Sequence, residues 1–162
     1  MKAVMLSVKP LWCKKILAGE KTLEIRKRRP QTDIPFKCYI YCTTGEENWI
    51  NSEGKRMSKH IIAEFVCDDI IRFSVPYPAY QQELDRKILE ESQVPYYALH
   101  RYALQSNDCN LYGWHISDLK VYDESLELNS FLSNTGDEFK FAPQSWCYCI
   151  KKPIIVKRSE PK

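Results

Sequence analysis

Apolar residues along this chain recur in two rhythms, and the change from one to the other marks its elements. Residues 2–8 carry a nearly continuous apolar run, read as a short strand. Pro10 then stands where a helix begins and Gly19 where it ends. Between them Trp12 and Ile16, and Cys13 and Leu17, lie four apart as a packed stripe, with Lys14 and Lys15 toward the end that favours cations. From Thr22 to Lys27 the rhythm becomes strict alternation. Leu23 and Ile25 fall on one face and Thr22, Glu24 and Arg26 on the other, the pattern of a half-buried strand.

Phe36 to Thr43, rich in aromatic and β-branched residues, predicts a third strand, and the polar stretch Thr44 to Lys59 predicts a loop. His60 to Phe73 returns to strand character, with Ile61, Ala63, Phe65 and Cys67 on one face, Ile62, Glu64 and Val66 on the other, and a bulge or bend at Asp68-Asp69. Tyr80, Leu84 and Ile88 recur every four residues, which predicts a helix over Ala79 to Ser92, with Glu83 pairing with Lys87 and Pro95 as its stop. Tyr96 to Gln105 reads as a short helix, Leu111 to Tyr122 contains a strand, Ser145 to Ile150 is the closing strand, and the residues from Pro153 onward form a fraying tail. Short strands with helices inserted, not spaced as βαβ units, predict a mixed α+β fold around a closed or nearly closed barrel.

Composition narrows the picture. At 162 residues, 44% apolar, with 5 Gly and 9 Pro, one globular domain over residues 1–152 is expected. The apolar stretch Ala3 to Leu6 is too short for a signal peptide or a bilayer span, so a cytoplasmic protein with no membrane partner is expected. Seven cysteines, an odd number without a secretory signal, read as free thiols. Cys147 and Cys149 share a strand face, but no Cys-x-x-Cys pair or nearby histidine joins them, so neither a metal nor a cofactor is expected. No Gly-rich phosphate loop, Gly-x-Ser-x-Gly elbow or His-Glu-x-x-His run is present.

The net charge of +3 matters less than its distribution. Arg26-Lys27-Arg28-Arg29 concentrates four cations just downstream of Lys14, Lys15 and Lys21. Gly19 supplies the positive φ that reverses the chain from the helix into the strand carrying Lys21, Glu24 and Arg26. There Arg26 forks onto a phosphate or onto Glu24, Lys21 is a point charge suited to a phosphate or a polarised carbonyl, and Glu24 accepts from a base amino group. The structural alternative is a Glu24–Arg26 bridge that closes the barrel end. Trp12, Tyr41, Trp114 and Trp146 are either stacking surfaces for bases or core aromatics. His115, beside Trp114, either adds a polar group to a cleft or is a satisfied strand histidine.

The segment Gly19-Glu20-Lys21-Thr22-Leu23-Glu24-Ile25-Arg26 resembles the Gly-x-Lys-x-x-Glu-x-Arg signature of the ASCH family, named for homology to activating signal cointegrator. Leu6-Ser7-Val8-Lys9-Pro10-Leu11-Trp12 upstream, and Tyr39 to Thr43, Trp114 to Ser117 and Gln144 to Tyr148 downstream, are similar to other strands of that family. The resemblance implies a PUA-like small β-barrel with flanking helices and a basic cleft that binds RNA or a nucleotide. It implies a site drawn from Lys9, Trp12, Lys21, Glu24, Arg26, Lys27, Thr43, His115 and Ser117.

One branch of the superfamily removes the acetyl group from N4-acetylcytidine with a lysine, a threonine nucleophile and a glutamate. Lys21 matches the lysine, but Glu24 stands where the threonine would be, and a carboxylate does not perform that acyl transfer in the same way. Thr22 shares the Glu24 face as a relocated candidate, and Glu83, Glu90 and Glu91 are all available as the third residue. Some relatives also cut RNA. The alternative function is therefore a small hydrolase acting on RNA or a modified nucleoside, with Lys21 and Glu24 as its catalytic residues. A salt-bridged Glu24 argues for binding, and a desolvated one with a raised pKa beside an open pocket argues for catalysis.

Overall fold

A computed structural model of the chain describes residues 3–45, 47–76 and 84–153. In chain order these form β1 (Ala3–Val8), α1 (Pro10–Leu17), β2 (Leu23–Arg26), β3 (Phe36–Cys42), β4 (His60–Cys67), β5 (Ile70–Ser74), α2 (Arg86–Ser92), α3 (Tyr96–Ala103), β6 (Asn110–His115), β7 (Ser117–Leu126), β8 (Phe131–Ser133) and β9 (Trp146–Lys151). The strands build a six-stranded sheet, β7-β4-β3-β1-β9-β8, and a three-stranded sheet, β2-β6-β5. The fold is mixed α+β, as the strand and helix pattern predicts.

Against the expectation of a closed or nearly closed barrel, the strands lie in two sheets, neither of which closes on itself. Strands that would have continued a barrel instead change sheet at two corners. Asp68-Asp69 separates β4 from β5, and Ile116 separates β6 from β7. The predicted strand His60 to Phe73 is therefore two strands in different sheets, and Leu111 to Tyr122 likewise spans two. Within β4 the expected alternation also breaks. Ile40 pairs with Ala63 and Tyr41 with Ile61, which leaves Ile62 as an extra residue. Ile61 packs on the outer face of the large sheet while Ile62 and Ala63 both pack on the inner one.

Three apolar clusters follow from this layering. Between the sheets lie Leu6, Val8, Ile40, Phe65 and Trp114, capped by Cys13 and Ile16 of α1. The far face of the small sheet, with Leu23, Ile25, Phe73 and Leu111, packs on Ile88 of α2 and Leu99 of α3. The far face of the large sheet carries Met5, Tyr39, Phe131 and Cys149. All four residues of β2 are consequently buried. The alternation over Thr22 to Lys27 correctly separates its faces, but the polar face is covered as well, by the larger sheet.

The helix ends are chemically legible. Pro10 opens α1, and Gly19, at φ +74°, turns the chain so that the Glu20 and Lys21 amides donate to the Lys15 carbonyl. The helix expected over Ala79 to Ser92 begins, among the described residues, at Arg86, because the Asp85 carboxylate accepts from the Lys87 amide as an N-cap. Residues 77–83, including Glu83, lie outside the described residues, as do residues 154–162 of the expected tail. All seven cysteines are free thiols. No helix among the described residues is long and apolar enough to cross a membrane.

Candidate functional site

The motif segment sits at the edge of the small sheet, where β2 faces the β1–α1 junction. Lys21 is 2% exposed. Its Nζ donates to the Leu23 carbonyl at 2.8 Å and to the Ser92 carbonyl at 2.7 Å, and lies 5.2 Å from the centre of the Trp12 ring. The Ser92 carbonyl is at the C-terminus of α2, where no intrahelical donor remains, so the lysine caps that helix. The Thr22 amide adds a second tie, to the Glu91 carbonyl. Burial pushes the Lys21 pKa below its usual 10.5, against the pull of the Glu24 carboxylate, and Arg26 and Lys15 push in the same direction as burial.

Glu24 and Arg26, 5% and 6% exposed, complete a buried triad. Glu24 Oε1 accepts from Arg26 Nη2 at 2.8 Å, and Oε2 lies 3.3 Å from Lys21 Nζ. The lysine's aligned hydrogen bonds go to the two carbonyls, so Oε2 stays without one. Arg26 Nη2 also donates to the Ser7 carbonyl at 2.9 Å, and Nη1 to the Ser145 carbonyl at 3.1 Å and hydroxyl at 3.2 Å. Its Nε is buried with no partner. Two cations around one carboxylate leave one net positive charge under the cleft floor.

Above this triad lies a cleft of about 980 Å³. Of the residues singled out from the sequence, Lys9, Trp12, Glu24, Arg26, Lys27 and Thr43 line it together. Lys21 lies behind them. His115 and Ser117 do not line it: His115 Nδ1 is 2.6 Å from Asp68 Oδ1, and the Ser117 hydroxyl donates to the Val66 carbonyl at 2.9 Å, both at the corners between the sheets. The His115 contact is the foremost cause holding the Asp68 carboxyl below its usual 3.8. Trp114 is fully buried between the sheets, where it meets Phe36 and Trp146 edge-on, and Tyr41 packs on the outer cluster. Trp12 and Trp146 remain half-buried in the cleft wall.

Sequence reasoning missed Tyr102 of α3 and Ser145 as site residues; both line the cleft, together with Val94, Ala98 and Leu99. Lys27 Nζ lies 5.0 Å from the Tyr102 ring centre and donates to Gln105 Oε1 at 3.2 Å. Neither residue had a local signal, since the cleft is assembled from five segments distant in sequence.

No known family model and no curated protein matches the sequence. Solved structures do. The crystal structure of ASCH from Zymomonas mobilis superposes with a TM-score of 0.62 at 17% identity, covering 90% of this chain and 86% of that one. A tyrosine-to-phenylalanine variant of that protein gives 0.62 at 16% identity, covering 91% and 90%. A serine-to-alanine variant gives 0.63 at 17%, covering 90% and 87%. The overall fold of the chain is thus that of these ASCH structures.

Proposed function

We propose that the chain binds RNA or a nucleotide in the cleft above the Lys21–Glu24–Arg26 triad. The observation that carries this reading is the pairing of aromatic walls with uncompensated charge. Trp12, Trp146 and Tyr102 offer ring surface, while Lys9, Lys27 and Arg28 at the rim form no ion pair among the described residues. Ring faces take up bases with little regard to sequence, and free cations take up phosphates. Glu24 and Arg26 add an acceptor and donors at the floor, where a base edge would be read. A carboxylate held between two cations serves better as an acceptor than as a proton-transfer base, which supports binding over hydrolysis. A hydrolase acting on RNA or a modified nucleoside remains the second reading, favoured by the Glu24 Oε2 that lacks an aligned donor beside the cleft.

The test is a fluorescence-anisotropy titration against short single-stranded RNA at two salt concentrations, with Lys27→Ala and Arg28→Ala alongside. Binding should weaken with salt, and each substitution should reduce the log–log salt slope by about 0.7. Absence of wild-type binding at low salt overturns the binding reading, and an acetylated cytidine assayed for acetate release then tests the hydrolase.

A further inference from the structure

A second hollow, of about 720 Å³, lies directly past the end of β2. The turn from Lys27 to Asp33 forms it, and Tyr112 provides its wall. Lys27 and Arg28 line both this hollow and the cleft, so the two are contiguous across those residues. Small-molecule sites occupy about 300–1,000 Å³. Each hollow by itself falls within that range, and the two together exceed what one nucleotide needs.

The second hollow carries adjacent cations without ion pairs. Several exposed cations elsewhere do face carboxylates: Lys14 meets Glu47, Arg72 meets Asp108 and Arg86 meets Glu90. Arg28 and Arg29 are exposed, adjacent and without an ion pair among the described residues, although Asp33 lines the same hollow. Arg29 Nε reaches only the Pro30 carbonyl, at 3.4 Å. The turn that presents them is anchored, because Pro30 is buried and the Gln31 amide donates to the Tyr148 hydroxyl at 2.9 Å. Neighbouring cations held on an anchored turn, outnumbering the one carboxylate beside them and forming no ion pair with it, favour a polyanion.

We infer that the ligand is a single strand of at least two nucleotides, which crosses the Lys27–Arg28 saddle and places one phosphate in each hollow. Half-buried Tyr112 gives the base in the second hollow a ring edge to lie against. This rests on the nucleotide-binding reading of the cleft and extends it from a mononucleotide to a chain.

The experiment compares uridine monophosphate with tetrauridylate by competition against a labelled RNA, using the wild type and Arg29→Gln. Tetrauridylate should bind at least tenfold more tightly, with a steeper salt slope. Arg29→Gln should weaken it about fivefold and lower its slope by about 0.7 while leaving the monophosphate unchanged. Equal affinities for the two ligands in the wild type, or no response of the tetramer to Arg29→Gln, overturn the inference while the cleft reading stands. Failure of both ligands to compete overturns both.

Discussion

Arg26 Nη2, on the edge strand of the small sheet, donates to the Ser7 carbonyl of the large sheet at 2.9 Å. With the two Ser145 contacts, one guanidinium bridges both sheets beneath the cleft while fixing Glu24. Truncating one partner of a buried ion pair costs about 3–5 kcal/mol. Arg26→Met should therefore lower the melting temperature by roughly 6–20 °C, at about 2–4 °C per kcal/mol for a chain this size. Arg26→Lys should recover only part, because an ammonium lacks the planar fork that reaches three segments. Full recovery in thermal melts would contradict the bridging role.

Lys21 is predicted to act on stability before it acts on ligand. Lys21→Met leaves the Ser92 carbonyl without its cap and Glu24 with one cation, so α2 should fray. Hydrogen exchange of the α2 amides and of Thr22 should accelerate by at least tenfold relative to wild type. Unchanged protection there would show that the helix is held by its apolar face alone.

A Cβ on Gly113 would come within 2.7 Å of Leu23 Cδ2 across the β2–β6 ladder. Gly113→Ala should destabilise by about 1–3 kcal/mol through overpacking. Leu23→Ala in the same chain should relieve part of that cost, giving a non-additive double-mutant cycle in urea denaturation. Strict additivity would place the strain elsewhere.

Glu64 governs an acid response. Burial pushes its carboxyl upward, but hydrogen bonds from Lys37 and Tyr122 outweigh it and hold the pKa below the usual 4.5. A depressed folded-state pKa contributes stability above about 4.5 that is lost as pH falls through the folded value. The urea midpoints of wild type and Glu64→Gln should differ at pH 7 and converge as the pH falls well below the usual carboxylate range. A gap of constant size would remove the ionised carboxylate from the account.

The sequence revealed most where local chemistry decides the outcome. Pro10, the four-residue stripe of α1 and the reversal at Gly19 are all local, and each lies where its residue type demands. β7 was harder to see, because Ser117 to Leu126 is mostly solvent-facing and carries little apolar alternation, and three-residue β8 is too short for any periodicity. The division into two sheets at Asp68-Asp69 and Ile116 was not legible, because a bend and a change of sheet look alike in one dimension. Among the site residues, Lys9, Trp12, Glu24, Arg26, Lys27 and Thr43 converge in space. The burial of Lys21 was invisible because lysine is by default exposed and its partner Ser92 is distant in sequence.

β2 is an edge strand, and an edge strand is ordinarily an invitation to another chain to pair with it. Here the strand has only four residues, its C-terminal end is followed by Lys27 and Arg28, and its approach is crossed by the Arg26 bracket. A second copy would bring its own like charges to the same edge. The charges proposed to meet a polyanion would therefore also oppose the pairing of a second copy along this strand.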